Sequence, residues 1–382
     1  MKHKLIALLT VLALCLSLLT ACGSGSSAPA EAASSSAPAA QSESAAESEE
    51  ASSAPAEANE LSASAEDGAT APDFDPNAPE AKIGMLSILN LSEEDAAKML
   101  RARKLATTQL IKEGDYVLQG EENPDKNGKI TVTYYDTLDA MLMALKAGQL
   151  TSINVTDTVA DYLLLTNPDL AKPMSHNPDA EHSAFAKMME NGLVGEGYSF
   201  LMMEDHAALR DEFDKALTAM KKDGTLDKLI KEQITDVMNG KEPDYIELTP
   251  IDNAETINVA VTGALPPMDY VSAIGMPVGF STAVLAEISS RINKNISISI
   301  IDSGARASAL ASGNADVVFW TRTAADEATV TSGDLTDDER TVVEQINSVY
   351  DFSNIAIMDI PQGTIVTQPY YSGYNLPVLV NQ

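Results

Sequence analysis

Few residues in this chain carry chemistry, and their types limit what it is. The chain has only two cysteines, Cys15 within an apolar run and Cys22 just after it, so the rest has no thiol for a disulfide or a thiolate metal site. Its four histidines, His3, His176, His182 and His206, lack a ligand spacing such as His-Glu-x-x-His and read as solvated surface groups, so no metal is expected. The acidic pairs Glu93-Glu94 and Asp337-Asp338 read as charges at helix N-termini rather than as an acid–base dyad. Nothing here assembles a catalytic constellation, and no cofactor is expected. Trp320, the only tryptophan, sits two residues from Arg322. An indole could stack over a ring or sugar, and a guanidinium fork could hold a carboxylate or phosphate. Equally, Trp320 could pack in a core at a strand end, and Arg322 could form a surface ion pair. A net charge of -31 over 382 residues leaves no basic stripe for nucleic acid.

The elements that would position these groups begin with an address. Met1-Lys2-His3-Lys4, the apolar stretch from Leu5 to Leu19 and the small residues after it form a secretory signal peptide over residues 1–21. The run is shorter than the ~20 residues that span a hydrocarbon core, and Thr10 and Ser17 interrupt it. Leu19-Thr20-Ala21-Cys22 resembles the lipobox of bacterial lipoproteins. That resemblance implies a lipid on Cys22 and attachment to the extracytoplasmic face of the cell membrane. Residues 22–80 are almost entirely Ser, Ala, Pro, Glu and Gly, with no lysine or arginine before Lys82. Such a segment buries too little apolar surface to order itself and reads as a disordered acidic tether. As a flexible coil it spans about 40–45 Å, and like charges extend it further.

From Ala81 onward strand-like and helical patterns alternate, which predicts an α/β fold. Residues 81–238 form one such region with two closing helices, 239–256 read as a linker, and 257–382 begin the pattern again. Ala-Leu-x-x-Gly ends a helix before a strand twice, at Ala144-Leu145-Lys146-Ala147-Gly148 and Ala309-Leu310-Ala311-Ser312-Gly313. This weak repeat points to two similar α/β lobes. The segment from Asp326 to Gln362 is acidic, with a helix predicted over Asp337 to Val349.

Several of these segments together resemble the bacterial extracellular solute-binding proteins of family 3, which have the type 2 periplasmic-binding fold. The carriers are Pro266-Pro267-Met268-Asp269-Tyr270, Gly275-Met276-Pro277-Val278-Gly279-Phe280, Leu310-Ala311-Ser312-Gly313-Asn314-Ala315-Asp316 and Gln368-Pro369-Tyr370-Tyr371. Leu209-Arg210-Asp211-Glu212-Phe213-Asp214-Lys215-Ala216-Leu217 and Asp223-Gly224-Thr225 match the family's closing helices. The resemblance implies a two-lobed binder of a small polar ligand that serves the membrane permease of an ABC transporter, and no enzyme. A ligand-sensing or adhesion lipoprotein without a permease, or a dehydratase-like enzyme on the same fold, are the alternatives. The family's first lobe here follows its second, so the lobe order looks circularly permuted, with the new chain ends expected at the hinge. The family's α-amino-acid clamp is missing. Its arginine has no counterpart in Ala324 to Val330, and Thr262 and Thr156 stand where acidic residues hold the ammonium. Leu265 replaces the stacking aromatic, and Ile88-Leu89 replace Gly-Thr.

Open α/β sheets bind ligands beyond the carboxyl ends of their strands. The predicted ligand-binding residues are therefore Thr262, Met268, Asp269, Trp320, Thr321 and Arg322 from one lobe, with Ser87, Asn90, Asn154, Thr156 and Asp157 from the other.

Overall fold

The computed structural model of the protein describes residues 75–87, 91–119, 128–242, 245–272, 275–322, 330–352, 360–374 and 378–381. The predicted signal peptide, Cys22, the tether up to residue 74 and Asn90 lie outside the described residues, as does the side chain of Arg322.

The first region runs β1 (Ala81–Leu86), α1 (Glu93–Glu113), β2 (Tyr116–Leu118), β3 (Ile130–Tyr135), α2 (Leu138–Lys146), β4 (Ser152–Asn154), α3 (Asp157–Thr166), β5 (Leu170–Ala171), β6 (Met174–His176) and α4 (Ala184–Met189). A π turn then leads into β7 (Gly195–Met203), followed by α5 (Ala207–Asp223), α6 (Thr225–Ile230) and α7 (Asp236–Met238). After the Pro- and Asp-rich link come β8 (Thr256–Val261), β9 (Ala264–Leu265), β10 (Asp269–Val271), β11 (Pro277–Val278), α8 (Phe280–Ile292), β12 (Asn295–Ile300), α9 (Arg306–Ala311) and β13 (Val317–Arg322). The chain closes with α10 (Asp337–Val349), β14 (Thr364–Val366), β15 (Tyr371–Tyr374) and β16 (Val378–Asn381).

Helix boundaries follow local chemistry. The hydroxyl of Ser92 accepts from the amide of Asp95 to open α1, and Gly114 closes it at a φ of 88°, a left-handed conformation that costs glycine little. Thr137 and Thr156 cap α2 and α3 in the same manner, accepting from Ala140 and Val159. The predicted helix over 337–349 is α10, opened by a reciprocal capping box between Thr336 and Glu339.

Two mixed sheets carry the architecture, in the orders β3-β1-β4-β16-β5 and β12-β8-β13-β7-β14. In each sheet the first strand of its run lies between the second and third, all parallel, and an antiparallel strand follows. That strand is lent by the other stretch of chain: β7 belongs to the second sheet, and β16 to the first. Sheet membership therefore does not divide at the linker, and the closing helices α5 and α6 pack on α8 of the second sheet. The fold is α/β with two lobes, each built on one sheet.

The repeat is real at the level of bonds. Gly148 donates to Leu145 O and Gln149 to Ala144 O; Gly313 donates to Leu310 O and Asn314 to Ala309 O. Both glycines are left-handed, at φ 72° and 70°. Each turn delivers the chain to the third strand of its sheet, β4 or β13.

One core spans both lobes, from Met141 and Ile153 to Phe200, Val259, Phe280 and Tyr370. A second gathers α1, α4 and the segment after β13: Leu335, Ile346, Tyr350 and Phe352 pack with Leu100, Leu110 and Phe185. The acidic segment after β13 thus lays α10 on α1 of the other lobe. A smaller core surrounds Trp320.

Lys82 is level with Thr151, and extending the β16 register from Leu379 opposite Ile153 puts Asn381 level with Thr151 too. The two ends of the described fold flank the amino end of β4. Two inter-strand spacings put them about 10 Å apart.

Candidate functional site

The carboxyl edges of the two sheets face each other, and three sets of polar contacts join them. Ser87 follows β1; its carbonyl accepts from Arg306 Nη2 at 2.8 Å and from Ser303 Oγ at 2.9 Å, both at the head of α9 in the other lobe. The Ser87 hydroxyl donates to Asp136 Oδ1 at 2.9 Å. The facing turn approaches closely at Gly304, where a Cβ would stand 3.2 Å from that same carboxylate oxygen. Thr156 Oγ1 and the Tyr198 hydroxyl lie 2.6 Å apart, and Thr158 Oγ1 and the Tyr371 hydroxyl 2.9 Å apart. These tie the start of α3 to β7 and β15.

Arg306 is the cation at this junction. It is 9% exposed, and its fork donates to three carbonyl oxygens: Nε to Ser303, Nη1 to Phe319 and Nη2 to Ser87. Its guanidinium lies 4.9 Å from the centre of the Trp320 ring. Burial lowers its pKa to about 10, against the opposing pull of Asp269, and it remains charged at neutral pH.

The predicted residues divide. Ser87 and Thr156 meet the opposite lobe, as above. Thr262 and Asp269 bond each other instead: Asp269 Oδ2 accepts from the amides of Thr262 and Gly263 and from the Thr262 hydroxyl at 2.8 Å. Asp269 is buried, and desolvation pushes its pKa up to about 6 despite those three donors. Met268 is fully buried in the shared core, so it and Asp269 pack the turn rather than face a cleft. Trp320 is 4% exposed and settles in the small core, beneath the Arg306 guanidinium. Thr321 is half-buried, opposite Tyr198 of β7. Asn154 is buried between Met85 of β1 and Val378 of β16. In sequence Arg306 was the missed residue; its one signal is a lone cation heading an otherwise small and apolar helix, Arg306-Ala307-Ser308-Ala309-Leu310.

Asp157 opens onto a cavity of about 230 Å3 beside the strand crossing, lined also by Asp161, Lys172, Met174, His176 and Tyr374. At ~30 Å3 each, roughly seven waters fill it. Burial raises the Asp157 pKa, while the amides of Tyr374 and Thr158 favour the carboxylate. A carboxylate, an ammonium and an aromatic ring around so small a space suit a compact polar solute.

The histidines also depart from expectation. His176 and His182 are not separate solvated groups: both are half-buried, with Nε2 atoms 3.3 Å apart, and Glu190 faces His182 Nδ1.

The described fold is therefore two α/β lobes that meet at the carboxyl ends of their strands. Residues 257–345 match the model of the bacterial extracellular solute-binding proteins, family 3. Solved structures of similar arrangement include the ligand-binding component of an ABC-type import system from Staphylococcus aureus with zinc bound, at 9% identity and a TM-score of 0.31 over 79% of this chain and 66% of that one. A periplasmic binding protein of an ABC transporter from Brucella ovis with glutathione bound aligns at 9% identity and a TM-score of 0.33, over 79% and 62%. A pheromone cOB1 precursor/lipoprotein of the YaeC family from Enterococcus faecalis V583 aligns at 12% identity and a TM-score of 0.31, over 80% and 86%. The chain spans less than two thirds of the length of the first two. Scores this low assign no ligand and no partner. Among the described residues no helix is long and apolar enough to cross a membrane.

Proposed function

We propose that this protein is a lipid-anchored, extracytoplasmic solute-binding protein that encloses a small polar ligand between its lobes and passes it to the permease of an ABC importer. The supporting observation is the contact of Arg306 and Ser303 with the Ser87 carbonyl. It joins the carboxyl edges of two equivalent sheets by hydrogen bonds, beside the hydrophobic core that both lobes share, and hydrogen bonds of this kind are ones that hinge opening can release. The family match over 257–345 agrees with this reading. Lipidation of Cys22 supplies the anchor, the 22–80 segment the tether, and a circular permutation of the lobes accounts for their order. The ligand is not held by the family's α-amino-acid clamp, because Thr156 and Thr262 are spent on Tyr198 and Asp269. Instead Asp157, Lys172 and Tyr374 offer mixed charge and an aromatic face.

Mass spectrometry of solute released from gently purified protein tests the reading. One polar compound should be recovered in stoichiometric amount and should rebind the emptied protein. Recovery of none, together with no thermal shift from a library of polar metabolites, would overturn it.

A further inference from the structure

Across the cavity from Asp161, β6 ends at His176, and the loop into α4 brings His182 to it. Their Nε2 atoms stand 3.3 Å apart. Two ligands held at 2.0–2.1 Å by tetrahedral zinc are about 3.3–3.4 Å apart, so the pair is already spaced for one ion.

The orientation of each ring is fixed independently. His176 stacks on Tyr374 with centroids 4.4 Å apart and planes 13° from parallel, and meets the edge of Tyr116 at 5.6 Å. Its backbone is held opposite Tyr116 in the β2–β6 pair. His182 faces Glu190 through Nδ1, 2.9 Å from Oε1 and 3.1 Å from Oε2. A carboxylate there accepts the Nδ1 proton and leaves the lone pair on Nε2, toward His176. This is the carboxylate–histidine–metal relay in which a second-shell group sets the tautomer of a ligand. His176, His182 and Glu190 together form a cluster of metal-ligating groups within 4.8 Å.

We propose that His176 and His182 bind a zinc ion through their Nε2 atoms, with Glu190 as the positioning residue for His182. Two imidazoles leave coordination positions free, and His176 lines the cavity of Asp157, Lys172 and Tyr374. Water, or an anionic group of a solute in that cavity, completes the shell. Imidazole pairs prefer zinc, nickel or copper over magnesium and calcium, which take oxygen ligands. The site is separate from the Ser87–Arg306 junction, and its existence does not depend on the function proposed above.

The test is titration of the full-length, chelator-stripped protein with zinc chloride in excess magnesium, which occupies the many surface carboxylates. One saturable site per chain is expected. His176→Ala and His182→Gln should each weaken it at least tenfold, and Glu190→Gln by about 10- to 100-fold, the usual range for a second-shell carboxylate. X-ray absorption of the zinc-loaded wild type should show two imidazole nitrogens, a readout independent of whether the variants fold. Unchanged affinity in the folded double variant, no saturable site under magnesium, or an all-oxygen shell would each overturn the proposal.

Discussion

The guanidinium of Arg306 reaches the carbonyl oxygen of Ser87 at 2.8 Å, joining residues 219 positions apart in sequence. The donor heads the helix after β12 and the acceptor follows β1, so one bond connects the strand ends of both sheets. A cation with no carboxylate at salt-bridge distance is retained because three carbonyl dipoles and the Trp320 face solvate it. A planar fork can serve three acceptors in one plane; an ammonium cannot.

Replacing Arg306 by alanine should therefore cost stability. The Phe319 carbonyl loses its side-chain donor, while the Ser87 carbonyl keeps Ser303 Oγ and the Ser303 carbonyl keeps the amide of residue 306. One buried acceptor deprived of that donor gives a loss of about 1–3 kcal/mol. Urea unfolding measures it, and small-angle scattering should show the lobes further apart. Lysine at this position should recover less than half. An unchanged urea midpoint would remove Arg306 from the junction.

Asp269 makes stability depend on pH in the direction opposite to most carboxylates. Its folded pKa, about 6, lies above the ordinary aspartate value of 3.8, so the folded state holds the proton longer. Between those values the folded state binds more protons, and stability falls as pH rises from about 4 to 6 and is level above. Two pH units correspond to about 3 kcal/mol at most, and the three donors to Asp269 argue for less. Asp269→Asn should flatten this part of the curve relative to wild type, by urea midpoints at pH 4, 5, 6 and 7. Parallel curves would show that Asp269 titrates with its ordinary pKa.

Much of this scaffold could be read in sequence because its signals are local. Ser92, Thr156 and Gly114 cap or stop helices through their own side chains or backbone freedom, and the Ala-Leu-x-x-Gly repeat makes its two bonds within five residues. The non-local parts were not legible. Nothing near β7 in sequence says that it leaves its own region for the other sheet, or that α10 covers α1. The site suffered for the same reason. Strand-end logic located Ser87, Thr156 and Asp157, but it could not tell that Asp269 turns back on Thr262 or that Trp320 lies beneath Arg306. His176 and His182 fit no motif because a strand end and a loop bring them together, not a helix period.

Gly373 holds the wall of the small cavity. An added Cβ there would stand 2.7 Å from Asp157 Oδ1, closer than real contacts allow, so Gly373→Ala must displace Asp157 or shift β15. Overpacking of this kind costs about 1–3 kcal/mol. Ligand affinity should fall at least tenfold more than in Met143→Ala, an exposed control far from the cavity lining. Calorimetry with the solute recovered by mass spectrometry provides the comparison. Equal affinities would place the ligand elsewhere.

Trp320 reports on the junction from beneath. Its indole is 4% exposed, and its Nε1 has no hydrogen-bond partner among the described residues. Emission should therefore be blue-shifted and resistant to iodide in the native protein. Arg306→Ala removes the guanidinium from the ring face, so it should change intensity without restoring quencher access if the surrounding core of Leu201, Val318 and Leu310 stays closed. A ligand that closes or opens the lobes should alter the signal only through Arg306, and in Arg306→Ala the response should vanish while binding persists. Ligand-dependent quenching that survives this substitution would mean that Trp320 touches the solute itself.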